Sequence, residues 1–164
     1  MQDSKTDKKE DACQITEELI TSVTKKINMS QIISLNLHLR DNNNLKIRKI
    51  SGLETLINLE DLNLSYNSIS SLGGLSSNMN LRTLNASNNQ IRRIENIFHL
   101  SYLTTLNLSN NKISNLPPTM ASLPVLKVLK LAANNINELD QIDNLVNCNS
   151  LRNVNIFQNP IPEE

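Results

Sequence analysis

Hydrophobic residues recur in a fixed pattern along most of this chain. An aliphatic residue fills the first, fourth, sixth and eleventh places of the pattern, and asparagine fills the ninth. Five copies begin 22 to 25 residues apart, at Leu59, Leu81, Leu103, Leu126 and Leu151. An earlier copy begins at Ile32 and contains an insertion that includes residues 40–44. A fixed period of this length predicts a solenoid in which each copy is one structural repeat.

The alternation around the fourth and sixth places predicts one short strand in each repeat. Successive side chains of a strand point to opposite faces, so Leu62 and Leu64 should point inward and Asn63 outward. Strands of successive repeats are expected to stack in parallel about 4.8 Å apart. Farther along each repeat, aliphatic residues recur at every third position, which is the spacing of short 3₁₀ turns. The pattern therefore predicts an α/β solenoid with a parallel sheet on one side.

The ninth place of every complete copy is an asparagine. These asparagines are Asn67, Asn89, Asn111, Asn134 and Asn159. A side-chain amide at this place can bond backbone groups of its own turn and of the next repeat, which would otherwise be buried without partners. Repeated polar residues are also candidates for catalysis, but the pairing of buried polar groups favours a structural asparagine ladder.

The segment before the repeats divides into a tail and a helix. Residues 1–14 are polar and of mixed charge, so we expect a disordered tail. Residues 15–28 have helical periodicity, with Thr16 as the expected N-cap and Asn28 as the expected end. Ile15 or Leu19, Ile20, Val23 and Ile27 fall on one face of this helix, which we expect to be buried. This helix should cover the open edge of the first repeat in a solenoid that spans residues 32–162. Binding of a partner by the helix is the alternative interpretation.

The chain stops soon after the last ladder asparagine, with no helical cap in the sequence. We therefore expect the last aliphatic stripe (Leu151, Val154 and Ile156) to face water or a partner. Three interpretations follow: a fragment, a short isoform, or a fold completed by another molecule. A second copy docked at this C-terminal edge would give a homodimer.

Composition removes several function classes. The 16 basic and 16 acidic residues cancel, and aromatic residues make up 2%, so nucleic-acid binding is not expected. Cys13 and Cys148 are not expected to form a disulfide framework, which favours a cytoplasmic location. The sequence contains no run of about 18 apolar residues, so we do not expect insertion into a membrane. The histidines His38 and His99 have no evident partners and no catalytic or metal-binding motif occurs, so we expect neither an enzyme nor a cofactor.

The repeats resemble the leucine-rich-repeat family, in particular its cytosolic class with 22-residue repeats. This resemblance implies a right-handed solenoid with a concave parallel sheet and a convex side of short 3₁₀ or helical segments. Residues 14–67, with the segments ITEELI and LNLSYN, resemble the N-terminal repeats of centriolin-like centrosomal and ciliary proteins. That similarity implies a non-catalytic scaffold of the centrosome, basal body or axoneme, with tubulin, dynein or centriolar partners. The same class includes a regulatory subunit of protein phosphatase one, so enzyme regulation is the alternative.

The outward side chains of the strands form the candidate binding surface, which we call the sheet face and expect to be concave. Its predicted binding residues are Asn63, Tyr66, Arg82, Asn85, Asn107, Lys127, Lys130, Arg152, Asn155 and Phe157. Among them, Tyr66 and Phe157 are the aromatic anchors, because such side chains often dominate interface energetics. The basic residues of the later repeats should attract an acidic segment such as a tubulin tail. The alternative is a polar face that is merely solvated.

Overall fold

A single parallel sheet runs through the molecule, and the computed structural model describes residues 14–39 and 46–162. Its strands are β1 (Ser34–Asn36), β2 (Asp61–Asn63), β3 (Thr83–Asn85), β4 (Thr105–Asn107), β5 (Val128–Lys130) and β6 (Asn153–Asn155). They lie side by side in chain order, and each pairs in parallel with the next. The predicted solenoid with one parallel sheet is therefore confirmed.

Register places the same repeat position side by side in successive strands. Leu62 pairs with Leu84, and Leu84 pairs with Leu106. The central leucines of the first five strands are buried, and they form one continuous core with the aliphatic residues of the return segments. Val154 holds the same place in β6 but is 41% exposed, because only one neighbouring strand covers it.

The return segments contain the three-residue spacing that the sequence predicts. The Leu56 N–H donates to the Leu53 carbonyl at 3.0 Å, and the Leu59 N–H donates to the Leu56 carbonyl at 3.1 Å. Equivalent bonds link Leu100 to Ile97 and Leu103 to Leu100. Hydrogen bonds between residues three apart are those of 3₁₀ geometry. The return side also holds a 3₁₀ helix at Pro118–Ser122 and a short α-helix, which is α2 (Asp140–Asp143) of the chain.

The first helix, α1 (Glu17–Thr24), begins as predicted but ends earlier than the predicted residue 28. The Thr16 hydroxyl accepts a hydrogen bond from the Leu19 N–H at 3.2 Å. Lys25 ends the helix in a left-handed conformation with φ of 58°, and its N–H donates to the Thr21 carbonyl. Asn28 does not end this helix; its side chain caps the next 3₁₀ turn, Met29–Gln31.

The early end of α1 changes which residues reach the core. Ile15 and Ile20 are buried against the first repeat. Ile27 is 89% exposed and Val23 is also exposed, so the prediction that both lie on the buried face is wrong. Ile27 lies beyond the helix, where the 3.6-residue period no longer sets its direction.

Three predictions cannot be compared with this fold. The tail prediction, apart from Gln14, and Cys13 lie outside the described residues, as does the insertion at residues 40–44.

Within residues 14–39 and 46–162, no helix is long and apolar enough to cross a membrane. The same residues contain no cluster of three or more side chains able to hold a metal ion.

Candidate interaction surface

Asparagines occupy the last strand position of the sheet face in five of the six repeats. Each side-chain oxygen accepts a hydrogen bond from the backbone N–H two residues later: Ser65 N–H donates to Asn63 Oδ1 (3.1 Å), and Ser87 N–H donates to Asn85 Oδ1 (3.2 Å). The same bond occurs at Asn36, Asn107 and Asn155. Such a bond stabilises the turn that follows the strand. The asparagines predicted to bind a partner therefore also have a local structural role, which sequence reasoning missed.

These bonds use the oxygen of each amide and leave its nitrogen for other contacts. The side chains of Asn63, Asn85 and Asn107 are half-buried, and Asn155 is exposed. Within the described part of the chain, none of these four amide nitrogens donates to a protein acceptor. Lys130 takes the same place in β5 and is exposed. The sheet face thus presents a column of hydrogen-bond donors across successive strands.

The charge of the sheet face differs from the sequence prediction at Arg82. Its Nε lies 3.0 Å from Glu60 Oε2, and both side chains are exposed. The Arg82 guanidinium carbon also lies 5.7 Å from the centre of the Tyr102 ring. An exposed ion pair adds little stability, but Glu60 cancels the positive charge that Arg82 was expected to offer. Lys127 and Lys130 form no salt bridge within the described residues.

Arg152, the remaining basic residue, is held by backbone groups. Its Nη1 donates to the carbonyls of Asn149 (3.0 Å) and Leu151 (2.9 Å). These contacts fix the side chain close to its own return segment while it remains exposed. Arg152 therefore extends the positive charge beside Lys127 toward the C-terminal edge of the sheet.

The two predicted aromatic anchors lie four strands apart along the sheet and in different environments. Phe157 follows β6 and is 74% exposed. Tyr66 follows β2, is half-buried, and packs edge-on against His38 with ring centres 5.0 Å apart. Four strand spacings of about 4.8 Å separate the two repeats, so one short side chain of a partner cannot contact both rings.

His38 has a partner, contrary to the sequence prediction. Its Nδ1 lies 2.8 Å from Ser65 Oγ, and that hydroxyl donates to Asn63 Oδ1 at 2.7 Å. Because the serine proton goes to Asn63, the histidine Nδ1 must be the donor to Ser65. The pair links the turns that follow β1 and β2. His99 likewise bonds the Leu75 carbonyl through Nε2, at 3.2 Å.

The five ladder asparagines bond the preceding repeat. Asn89 Nδ2 donates to the carbonyls of Leu64 (3.0 Å) and Ala86 (3.1 Å), and its Oδ1 accepts from the Ile69 N–H at 2.9 Å. The same three bonds recur at Asn67, Asn111, Asn134 and Asn159. Leu64 and Ile69 belong to the repeat before Asn89, so the prediction that these amides reach the next repeat is wrong.

Two buried residues of the return side were missed by sequence reasoning. Asn78 and Cys148 occupy places where other repeats have Leu56 or Leu100, and both are buried. Asn78 Nδ2 donates to the carbonyls of Leu53 (2.9 Å) and Leu56 (3.0 Å). Burial raises the pKa of the Cys148 thiol. The sequence feature that could have identified them is a non-aliphatic residue at a position where every third residue of the return segment is otherwise aliphatic.

The parallel sheet, the buried asparagine ladder and the 3₁₀ return segments define a class of solenoids built from leucine-containing repeats. Residues 76–164, more than half of the chain, match the family model described as "Leucine-rich repeat". Residues 58–78 match a further model described as "Leucine Rich Repeat". The chain belongs to the leucine-rich-repeat family, which indicates a scaffold for protein–protein interaction.

Similarity to individual proteins covers different parts of the chain. Over 55 residues, 34% of this chain and 2% of the relative, it is 49% identical to centriolin of Mus musculus. Internalin C2 of Listeria monocytogenes is 31% identical with a TM-score of 0.66, covering 81% of this chain and 57% of the internalin. A second internalin of that bacterium is 25% identical with a TM-score of 0.72, covering 90% and 44%. The chain thus spans a small part of centriolin and about half of each internalin.

Proposed function

We propose that this protein is a non-catalytic interaction module whose sheet face binds a segment of a protein partner. The observation that carries the proposal is the column of outward amides, whose nitrogens have no acceptor within the described residues. Six strands at about 4.8 Å extend over roughly 24 Å, which suits an extended segment or one helix. Phe157 supplies an exposed aromatic anchor at one end, where burial under a partner is favourable.

The proposed cellular setting is a cytoskeletal assembly of the cytoplasm: the centrosome, basal body or axoneme of a cilium. The support for it is the similarity of one third of the chain to mouse centriolin. Tubulin, dynein and centriolar components are the partners to examine first. Lys127 and Lys130 favour a partner with an acidic segment over the later strands, since complementary charge increases the rate of association.

Affinity capture from ciliated-cell extract, followed by quantitative mass spectrometry, tests this proposal. Asn85→Arg with Asn107→Arg blocks the centre of the sheet face, but it also removes two turn hydrogen bonds. Thr83→Arg with Thr105→Arg blocks the adjacent column and leaves those bonds in place. Ser101→Arg with Ala121→Arg is the matched control, because both residues are exposed on the return side.

Both sheet-face variants should recover at least about tenfold less of the cytoskeletal partners, because a charged side chain occupies the contact. The control should recover as much as the original chain. Equal recovery by all variants would show that the sheet face does not bind those partners. Specific recovery of protein phosphatase one would instead support a regulatory subunit.

A homodimer formed through β6 is the second candidate function. The observation in its favour is that Val154 and Phe157 are exposed at the edge of the sheet that β6 forms within the described residues. Light scattering over a range of concentrations should show a mass that rises toward twice that of the monomer. Val154→Lys should abolish that rise, since a charge would be buried at the contact. A constant monomer mass would reject the dimer.

A further inference from the structure

A second surface lies beside the segments that follow the ladder asparagines. Backbone hydrogen bonds hold these segments in register: the Ser68 N–H donates to the Ile47 carbonyl at 2.9 Å, and the Lys112 N–H donates to the Ile91 carbonyl at 2.8 Å. Six of the ten Lys and Arg residues between positions 46 and 162 belong to these segments. We call them the basic strip, which consists of Lys46, Arg48, Lys49, Arg92, Arg93 and Lys112.

Five of these cations line two open clefts. The first cleft, of about 550 Å³, is bounded by Arg48 and Lys49 from one repeat and by Ser70 and Ser71 from the next. The second cleft, of about 490 Å³, is bounded by Arg92, Arg93 and Lys112, together with uncharged polar side chains. Arg48 of the first cleft and Arg92 of the second hold the same position in repeats that are two apart. Ser70 holds that position in the repeat between them.

Among the residues that the structure describes, no salt bridge neutralises the cations of the clefts. Glu54 lines the first cleft and Glu95 the second, but neither forms a salt bridge with the five cations within the described residues. The clefts together therefore carry five positive and two negative side chains, in a chain whose formal net charge is zero. The Ser51 hydroxyl, also at the first cleft, is buried and has no hydrogen-bond partner in the part of the chain that is described.

The distance between the clefts selects the form of the anion. Two repeats at about 4.8 Å place equivalent cations about 10 Å apart. A polyproline-II segment has three residues per turn and rises about 3.1 Å per residue, so every third side chain lies on one face at about 9 Å intervals. A carboxylate at every third residue of such a segment can therefore contact both clefts.

We propose that the basic strip binds an acidic polyproline-II peptide segment that carries a carboxylate at every third residue. The lining residues of both clefts include no aromatic side chain. Binding of single-stranded nucleic acid usually depends on base stacking against such side chains, so the clefts favour a peptide over a nucleic acid. The strip is separate from the sheet face, and the two surfaces can be occupied independently.

Fluorescence anisotropy with the full chain tests the basic strip. The probe is a labelled peptide of five Glu-Pro-Pro triplets, and its isomer with the five glutamates in one block tests the spacing. Arg48→Glu with Lys49→Glu reverses the first cleft, and Arg92→Glu with Arg93→Glu reverses the second. Lys25→Glu with Lys26→Glu makes the same change of charge after α1, at residues that belong to neither surface. All six side chains are exposed, so each variant should keep the circular-dichroism melting curve of the original chain.

Each cleft variant should weaken binding of the triplet peptide about tenfold or more, and the Lys25 and Lys26 control less than about threefold. The block isomer should bind at least about fivefold more weakly, and binding should fall between about 50 and 300 mM salt because the contacts are ionic. Equal weakening by the cleft variants and the control, or equal affinity for the two isomers, would show a response to net charge alone. Tighter binding of a hexathymidylate than of the triplet peptide would also overturn the proposal.

Discussion

Asn63 and Asn67 belong to one repeat but form hydrogen bonds of different kinds. Asn63 is half-buried and accepts a bond from the backbone two residues later. Asn67 is buried and bonds both its own repeat and the preceding one. Position in the repeat explains the difference, because the strand places Asn63 on the outward face and the next turn carries Asn67 into the interior. The same residue type therefore contributes to a surface at one place and to stability at another.

The ladder predicts a large cost for removing one buried amide. Asn89→Ala should lower the free energy of unfolding by about 3 kcal/mol, because three carbonyls and one N–H lose their buried partner. Gln90→Ala is the control, since this neighbouring side chain is exposed and should change stability by less than about 0.5 kcal/mol. Urea unfolding measures both. Equal small effects would show that the ladder does not stabilise the fold.

The thiol of Cys148 should react slowly in the folded protein. Burial raises its pKa above the ordinary value of 9.0, so less of the reactive thiolate is present at a given pH. In a Cys13→Ser background, alkylation by iodoacetamide at neutral pH should be at least about tenfold slower in the folded protein than in urea, and the folded rate should still be rising with pH at 9.0. Equal rates for folded and unfolded chains would contradict the buried position of Cys148.

At the scale of elements, the return turns depend on close contact between repeats. Gly74 has φ of 98°, and a Cβ at this residue would collide with the Ile50 carbonyl of the preceding repeat. Gly73, beside it, has only ordinary van der Waals neighbours for a Cβ. Comparing substitutions at Gly74 and Gly73 therefore distinguishes the effect of a left-handed, closely packed position from the general effect of replacing a glycine.

Gly74→Ala should destabilise the protein by at least about 2 kcal/mol, because the alanine is strained and displaces a neighbouring turn. Gly73→Ala should change stability by less than about 1 kcal/mol. Thermal unfolding by calorimetry measures the difference. If both variants melt together, the turn can shift without cost and the contact with Ile50 is not required.

The end of α1 illustrates an element that the sequence predicted only in part. Thr16 follows from the preference of threonine for N-cap positions, and the structure confirms it. The C-terminal end was placed at Asn28, since asparagine often follows a helix. Lys25 instead takes the left-handed conformation, which its residue type does not favour. Local sequence could not indicate this end, because packing of Ile15 and Ile20 on the first repeat also determines where the chain must turn.

At the scale of the whole molecule, each repeat depends on its neighbours for a buried core. Leu129→Ala should cost about 2 to 5 kcal/mol, because Leu129 is fully buried between two strands. Val154→Ala, at the same place in β6, should cost less than about 1 kcal/mol because the side chain is already 41% exposed. Chemical denaturation with both variants measures this gradient. Similar losses would mean that β6 is covered in solution, which would support the dimer.

By itself, the sequence determined the period of the repeat, the inward leucines, the outward column and the places of the ladder asparagines. These features follow from the two-residue period of a strand and from the need to pair buried polar groups, and both leave a pattern that recurs in each copy of the sequence. Only the tertiary structure decided that Glu60 neutralises Arg82, that His38 donates to Ser65 and that the ladder bonds the preceding repeat. It also brought the cations of the basic strip into two clefts. Those contacts join residues of different repeats, so they depend on the register in which the repeats stack.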